Sequence, residues 1–64
     1  MNTLEIISKN SISKLDTNEL MKSKILDENG ITYFLASENF NKLNELILEL
    51  ENEKTEFKYQ LNSS

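Results

Sequence analysis

Near its C-terminal end the chain reads Glu49-Leu50-Glu51-Asn52-Glu53-Lys54-Thr55-Glu56-Phe57-Lys58-Tyr59-Gln60-Leu61: four glutamates, then three large side chains set among polar ones. Clustered carboxylates can move protons, hold a cation or attract a basic partner. The first two uses need companions that the sequence does not supply. It has no histidine and no cysteine, so the usual general base, thiol nucleophile and zinc ligand sets are missing. Gly30 is the single glycine, which excludes Gly-rich phosphate loops and dinucleotide fingerprints. Asp27-Glu28-Asn29-Gly30 lacks the 12-residue ligand pattern of a calcium loop, and no serine stands in a nucleophile elbow. The expectation is a non-catalytic chain without cofactor or metal. What remains is recognition. Phe57, Tyr59 and Leu61 are candidate anchors for a partner's pocket, with Glu53 and Glu56 beside them to attract a basic surface. The competing use of Phe57 and Leu61 is a dimer contact along one helix.

The elements that would position these residues begin with a helix. Phe40, Leu43, Ile47, Leu50, Phe57 and Leu61 recur at spacings of three and four with one gap, filled by Lys54. Leu46 and Leu48 widen the stripe. Ser37 is placed to cap this helix, and Glu38 suits the positive end of its dipole. A packed helix is expected to about residue 50, with a looser polar extension beyond. Phe40, Leu43, Ile47 and Leu50, together with Tyr33 and Phe34, are the expected core and dimer contacts.

Asn29-Gly30 admits two readings. Gly30 could be the left-handed residue ending a helix that starts at Asp16, with Asp16 and Glu19 as a capping box. Alternatively, Asn-Gly forms a two-residue type I′ hairpin, pairing Leu26 with Tyr33 and Ile25 with Phe34. The strand-forming run Ile31–Ala36 favours the hairpin. A short helix from about Ile12 to Met21 then precedes it, and residues 3–7 read as a further strand. The expected fold is α+β: one small domain with an N-terminal strand, a short helix, a β-hairpin and a long C-terminal helix. Residues 1–50 form the compact dimerisation domain, and 51–64 a polar helical or disordered tail.

With 64 residues and no disulfide, the chain has little core to stabilise it alone, so a homodimer or a partner-completed fold is expected. No run approaches the ~18 apolar residues of a membrane span, and the first residues lack the basic-then-apolar order of a secretory signal. A cytoplasmic protein that does not meet membranes is expected. The net charge is −4, unevenly spread. Residues 1–26 are nearly balanced, whereas residues 27–64 set Lys42, Lys54 and Lys58 against Asp27 and seven glutamates. The acidic half is suited to a basic protein.

The order of elements resembles the Phd/YefM family of bacterial type II antitoxins. "ISKLDTNELM" (12–21) is similar to that family's first helix, and "KILDENGITYFLASENFNKLNELI" (24–47) to its hairpin, strand and second helix, with Ser37-Glu38-Asn39-Phe40-x-x-Leu43 in the cap region. The resemblance implies an antitoxin that dimerises through its N-terminal part and neutralises a basic toxin through its tail, with autoregulatory DNA binding as a family trait. The chain has no arginine near its N-terminus for DNA. The alternatives are a small acidic mobile-element or phage inhibitor that blocks a nucleic-acid enzyme, and a helical coiled-coil assembly protein.

Overall fold

The structure, a computed structural model, describes residues 1–63; Ser64, the last residue of the expected tail, lies outside them. The elements run β1 (Asn2–Ser8), α1 (Ser13–Asp16), β2 (Met21–Asp27), β3 (Gly30–Ser37), α2 (Phe40–Asn52) and β4 (Lys58–Asn62). The strands form one antiparallel sheet in the order β2-β3-β1-β4. β1 is central, with Leu4 opposite Leu35 on one side and opposite Leu61 on the other. β1 and β2 therefore run parallel with β3 between them, and β3 and β4 run parallel with β1 between them. This is the split βαβ, ferredoxin-like arrangement, with its first helix reduced to a single turn.

The alternation of the strands decides which side is covered. On β1, Leu4 and Ile6 point inward, while Thr3, Glu5 and Ile7 point outward. On β3, Ile31, Tyr33 and Leu35 point inward. Leu43, Leu46, Ile47 and Leu50 close this layer from α2, and Ile12 and Leu15 do so from the α1 region. Truncating a fully buried leucine in such a layer costs about 2–5 kcal/mol. Polar ties hold its rim. The Ile12 amide donates to the buried Tyr33 hydroxyl at 3.0 Å, which holds α1 against the sheet. Asn2 donates through Nδ2 to the carbonyls of Ser37 and Glu38, joining the start of β1 to the β3–α2 connection.

Several expectations are corrected. The helix is not C-terminal: it ends at Asn52, and a fourth strand follows. Its cap is Asn39, whose Oδ1 accepts from the Asn41 amide; Ser37 remains in β3 because it pairs with Asn2. The first helix spans four residues rather than Ile12 to Met21, and Met21 opens β2. Residues 16–28 form no helix ending at Gly30. The hairpin is present, but Asp27 pairs with Gly30 and Leu26 with Ile31, so Glu28 and Asn29 form the turn. Neither takes the positive φ that type I′ requires, and only Gly30 crosses to positive φ. Of the expected core, Leu43, Ile47, Leu50 and Tyr33 are buried, whereas Phe40 is exposed and Phe34 lies on the uncovered sheet face.

Two positions favour glycine, and one has it. Gly30 has φ +137°, and a Cβ there would collide with the Ser8 carbonyl oxygen of the neighbouring strand end. Lys54 holds φ +60° just past the α2 C-cap, Glu53. Its amide bonds to the Glu51 carbonyl and the Thr55 amide to that of Leu50, completing a Schellman cap without the usual glycine. Opposite outcomes are expected in denaturant titrations. Gly30→Ala should destabilise by about 1–3 kcal/mol, and Lys54→Gly should stabilise on the order of 0.5–1 kcal/mol. Equal effects from the two substitutions would contradict this assignment of backbone strain.

Candidate interaction surface

The segment from Glu53 to Leu61, expected to project as a tail, is folded into the domain. The Schellman cap turns the chain away from α2, and residues 58–62 pair with β1. The expected anchors share the inner side of the sheet. Phe57 and Leu61 are partly buried against the core and are not free to dock elsewhere. Tyr59 pairs with Ile6 but lies beyond the cover of the helix and stays 49% exposed, its ring centroid 6.0 Å from that of Phe57. The signal for this was in the sequence. Residues 57, 59 and 61 are two apart, the period of a strand, whereas a helix would turn Tyr59 to the side opposite Phe57 and Leu61.

β4 lies at one end of the sheet and pairs only with β1. An edge strand offers a row of unpaired amides and carbonyls, which proteins usually blunt. The other edge, β2, is blunted by an irregularity between Met21 and Ser23 and by Lys22 and Lys24. β4 has no bulge and no proline, and carries one lysine, Lys58.

The acids are gathered on one stretch. Residues 38–56 carry Glu38, Glu45, Glu49, Glu51, Glu53 and Glu56 against Lys42 and Lys54. Part of this charge is answered internally: Lys14 of α1 bonds to Glu53 and lies 3.5 Å from Glu49. The Glu53 hydrogen bond is the main cause holding the Lys14 ammonium above its ordinary pKa, with Glu49 adding to it. Glu45, Glu51 and Glu56 have no such answer among the described residues and point to solvent. Leu48 is also exposed on α2, on the face opposite the buried stripe.

The remaining ion pair is structural. Lys24 donates to Asp16 at 2.8 Å, and its ammonium lies 5.5 Å from the centroid of the Tyr33 ring. This holds the one-turn helix to β2. The hydrogen bond from Lys24 keeps the Asp16 carboxyl below its ordinary value, against the opposite push of desolvation. The same bond lifts Lys24. These shifts follow from pairing, and among the described residues no buried side-chain nitrogen or oxygen lacks a partner. No group of His, Cys, Asp and Glu among them is placed to hold a metal ion.

No protein-family model, no curated protein and no solved structure matches the chain. No helix among the described residues is long and apolar enough to cross a membrane.

The ion pair has a testable pH signature. Because Asp16 is lowered when folded, its contribution is complete above its ordinary pKa of 3.8 and fades as pH falls through the folded value. Lys24 is raised, so its part is complete below 10.5 and fades as pH rises through the folded value. Asp16→Asn should therefore flatten the acid limb of a melting-temperature profile below about pH 4 and leave its slope unchanged between about pH 5 and 9. An unaltered acid limb would show that the pair adds nothing.

Proposed function

We propose that this chain is a non-catalytic protein-binding module that takes up an extended basic segment of a partner protein along the free edge of β4. The observation that carries this is the edge itself: an unblunted strand on a domain of net charge −4, with half-exposed Tyr59 on one side of it. Strand addition draws affinity from main-chain hydrogen bonds, and alternate side chains add selectivity. The acidic stretch 38–56 would speed the encounter with a basic partner.

The antitoxin resemblance supplies one concrete form of this reading, in which the partner is a basic toxin held by residues 53–61. The acidic mobile-element or phage inhibitor is a second form with the same physical demand. Both place the protein in the cytoplasm. In both, the contact is made by a folded edge rather than a tail that orders on binding. The assembly-protein alternative loses its footing, because the helix stripe that would join two copies is buried against the protein's own sheet. DNA binding has little electrostatic support on a chain this acidic.

A short peptide alternating lysine and valine serves as the probe. In amide-resolved NMR titrations its addition should shift resonances of residues 56–62, and salt should weaken the effect. Tyr59→Lys should reduce the shifts several-fold while leaving the folded spectrum intact. Shifts centred on other strands, or none up to about 1 mM peptide, would overturn the assignment of β4 as the binding edge.

A further inference from the structure

The face of the sheet turned away from α2 has no cover. Ile7 is 42% exposed and Ile25 52% exposed, and with Phe34 and Ala36 they make an apolar field across β2, β3 and β1 that is interrupted by Thr32 between the two isoleucines and by Ser23 and Glu5 in register with Phe34. A shallow concavity of about 340 Å³ opens in it beside Phe34 and Ala36. Charges of both signs stand within and around this field. Glu5 lies in register between Phe34 and Gln60, Lys22 borders the concavity, and Lys58 lies in register with Ile7. None of the three has an ion-pair partner among the described residues. We propose that this face is a self-association surface, covered by the same face of a second copy of the chain.

Three features select a second copy. First, the acids of residues 38–56 lie outside this face, on and just after α2, which packs on the opposite side of the sheet. Joining two such faces keeps the two acidic helices apart. Second, the pattern is self-complementary about one axis. A two-fold axis parallel to the strands, midway between β1 and β3, lays β1 over the partner's β3 and β4 over the partner's β2. Glu5 then faces the partner's Phe34, within side-chain reach of the partner's Lys22. Ile7 meets the partner's Thr32, and the alkyl stem of Lys58 covers the partner's Ile25. An axis perpendicular to the strands lays β1 over the partner's β1, and one passing at Glu5 sets that carboxylate against its own copy, which like charge disfavours. Third, the size suits a weak pair. The strands hold 7, 7, 8 and 5 residues, and at about 4.8 Å between strands and about 3.3 Å per residue they present roughly 430 Å² per copy. The pair would bury about 860 Å² in total, below the size of stable interfaces and in the range of weak, reversible ones.

Sedimentation velocity of the whole chain, from about 5 to about 500 µM, provides the test. The apparent mass should rise from 7.4 kDa toward twice that value across the series. Ile25→Asp, at an exposed edge position outside the core, should hold the chain monomeric with an unchanged circular dichroism spectrum. Glu5→Lys should weaken association at least tenfold by facing the partner's Lys22, and adding Lys22→Glu should restore it by exchanging the signs. That rescue separates an interface role from a purely structural one. A monomer throughout the series, a dimer indifferent to Ile25→Asp, or a charge exchange that fails to restore association would each overturn the proposal.

Discussion

Everything in this domain depends on the packing of one stripe of α2, Leu43, Leu46, Ile47 and Leu50, against the inner faces of β1 and β3. The chain is too short for a second apolar layer, and a single turn of helix at α1 cannot supply one. The sheet therefore has one wet face by necessity. Removing the helix stripe would leave Leu4, Ile6, Tyr33 and Leu35 open to water, and no other element is long enough to replace it. The smaller devices secure this contact at its margins: the Asn2 amide at one end of β1, the Tyr33 hydroxyl beneath α1, and the Lys24–Asp16 pair beside it.

One-sided cover leaves two surfaces available, with different chemistry. The β4 edge offers backbone hydrogen bonds and one aromatic ring. The open face offers side chains only, apolar ones interspersed with charges of both signs. An extended segment can use the first but would leave its backbone unpaired on the second. A flat, matching sheet can use the second but has no way to pair with the first. The two proposed contacts therefore do not compete for the same atoms, and a pair of copies joined at their open faces would still carry two free edges.

Charge separates the sides of the molecule. Glu45, Glu49 and Glu51 lie on the solvent side of α2 and Glu53 and Glu56 in the connection that follows it, whereas the open face carries Glu5, Lys22 and Lys58. A net charge of −4 on so small a body surrounds it with a negative field whose reach is about 8–10 Å at ordinary ionic strength. Lys14 tempers this locally by drawing Glu49 and Glu53 toward α1, so the strongest unanswered field comes from Glu45, Glu51 and Glu56.

The sequence by itself determined the elements whose signals are local and dense. The three-and-four spacing of Leu43, Ile47 and Leu50 made a helix, the strand-forming run before Ser37 made β3, and the need for positive φ kept Gly30 at the hairpin. The absence of histidine and cysteine narrowed the chemistry that any site could perform. Tertiary structure decided what local signals could not. Phe57 and Leu61 fit a continued helical stripe as well as an alternating strand, because positions 50, 57 and 61 satisfy one spacing and 57, 59 and 61 the other. The choice went to the strand because β1 had an unpaired edge, and because Lys54 at positive φ ended the helix where packing required the chain to turn. Phe34 was apolar enough for the core, yet its parity opposite Glu5 placed it on the open face. Composition records how much a chain can bury; only the pairing of distant strands decides which residues are left outside.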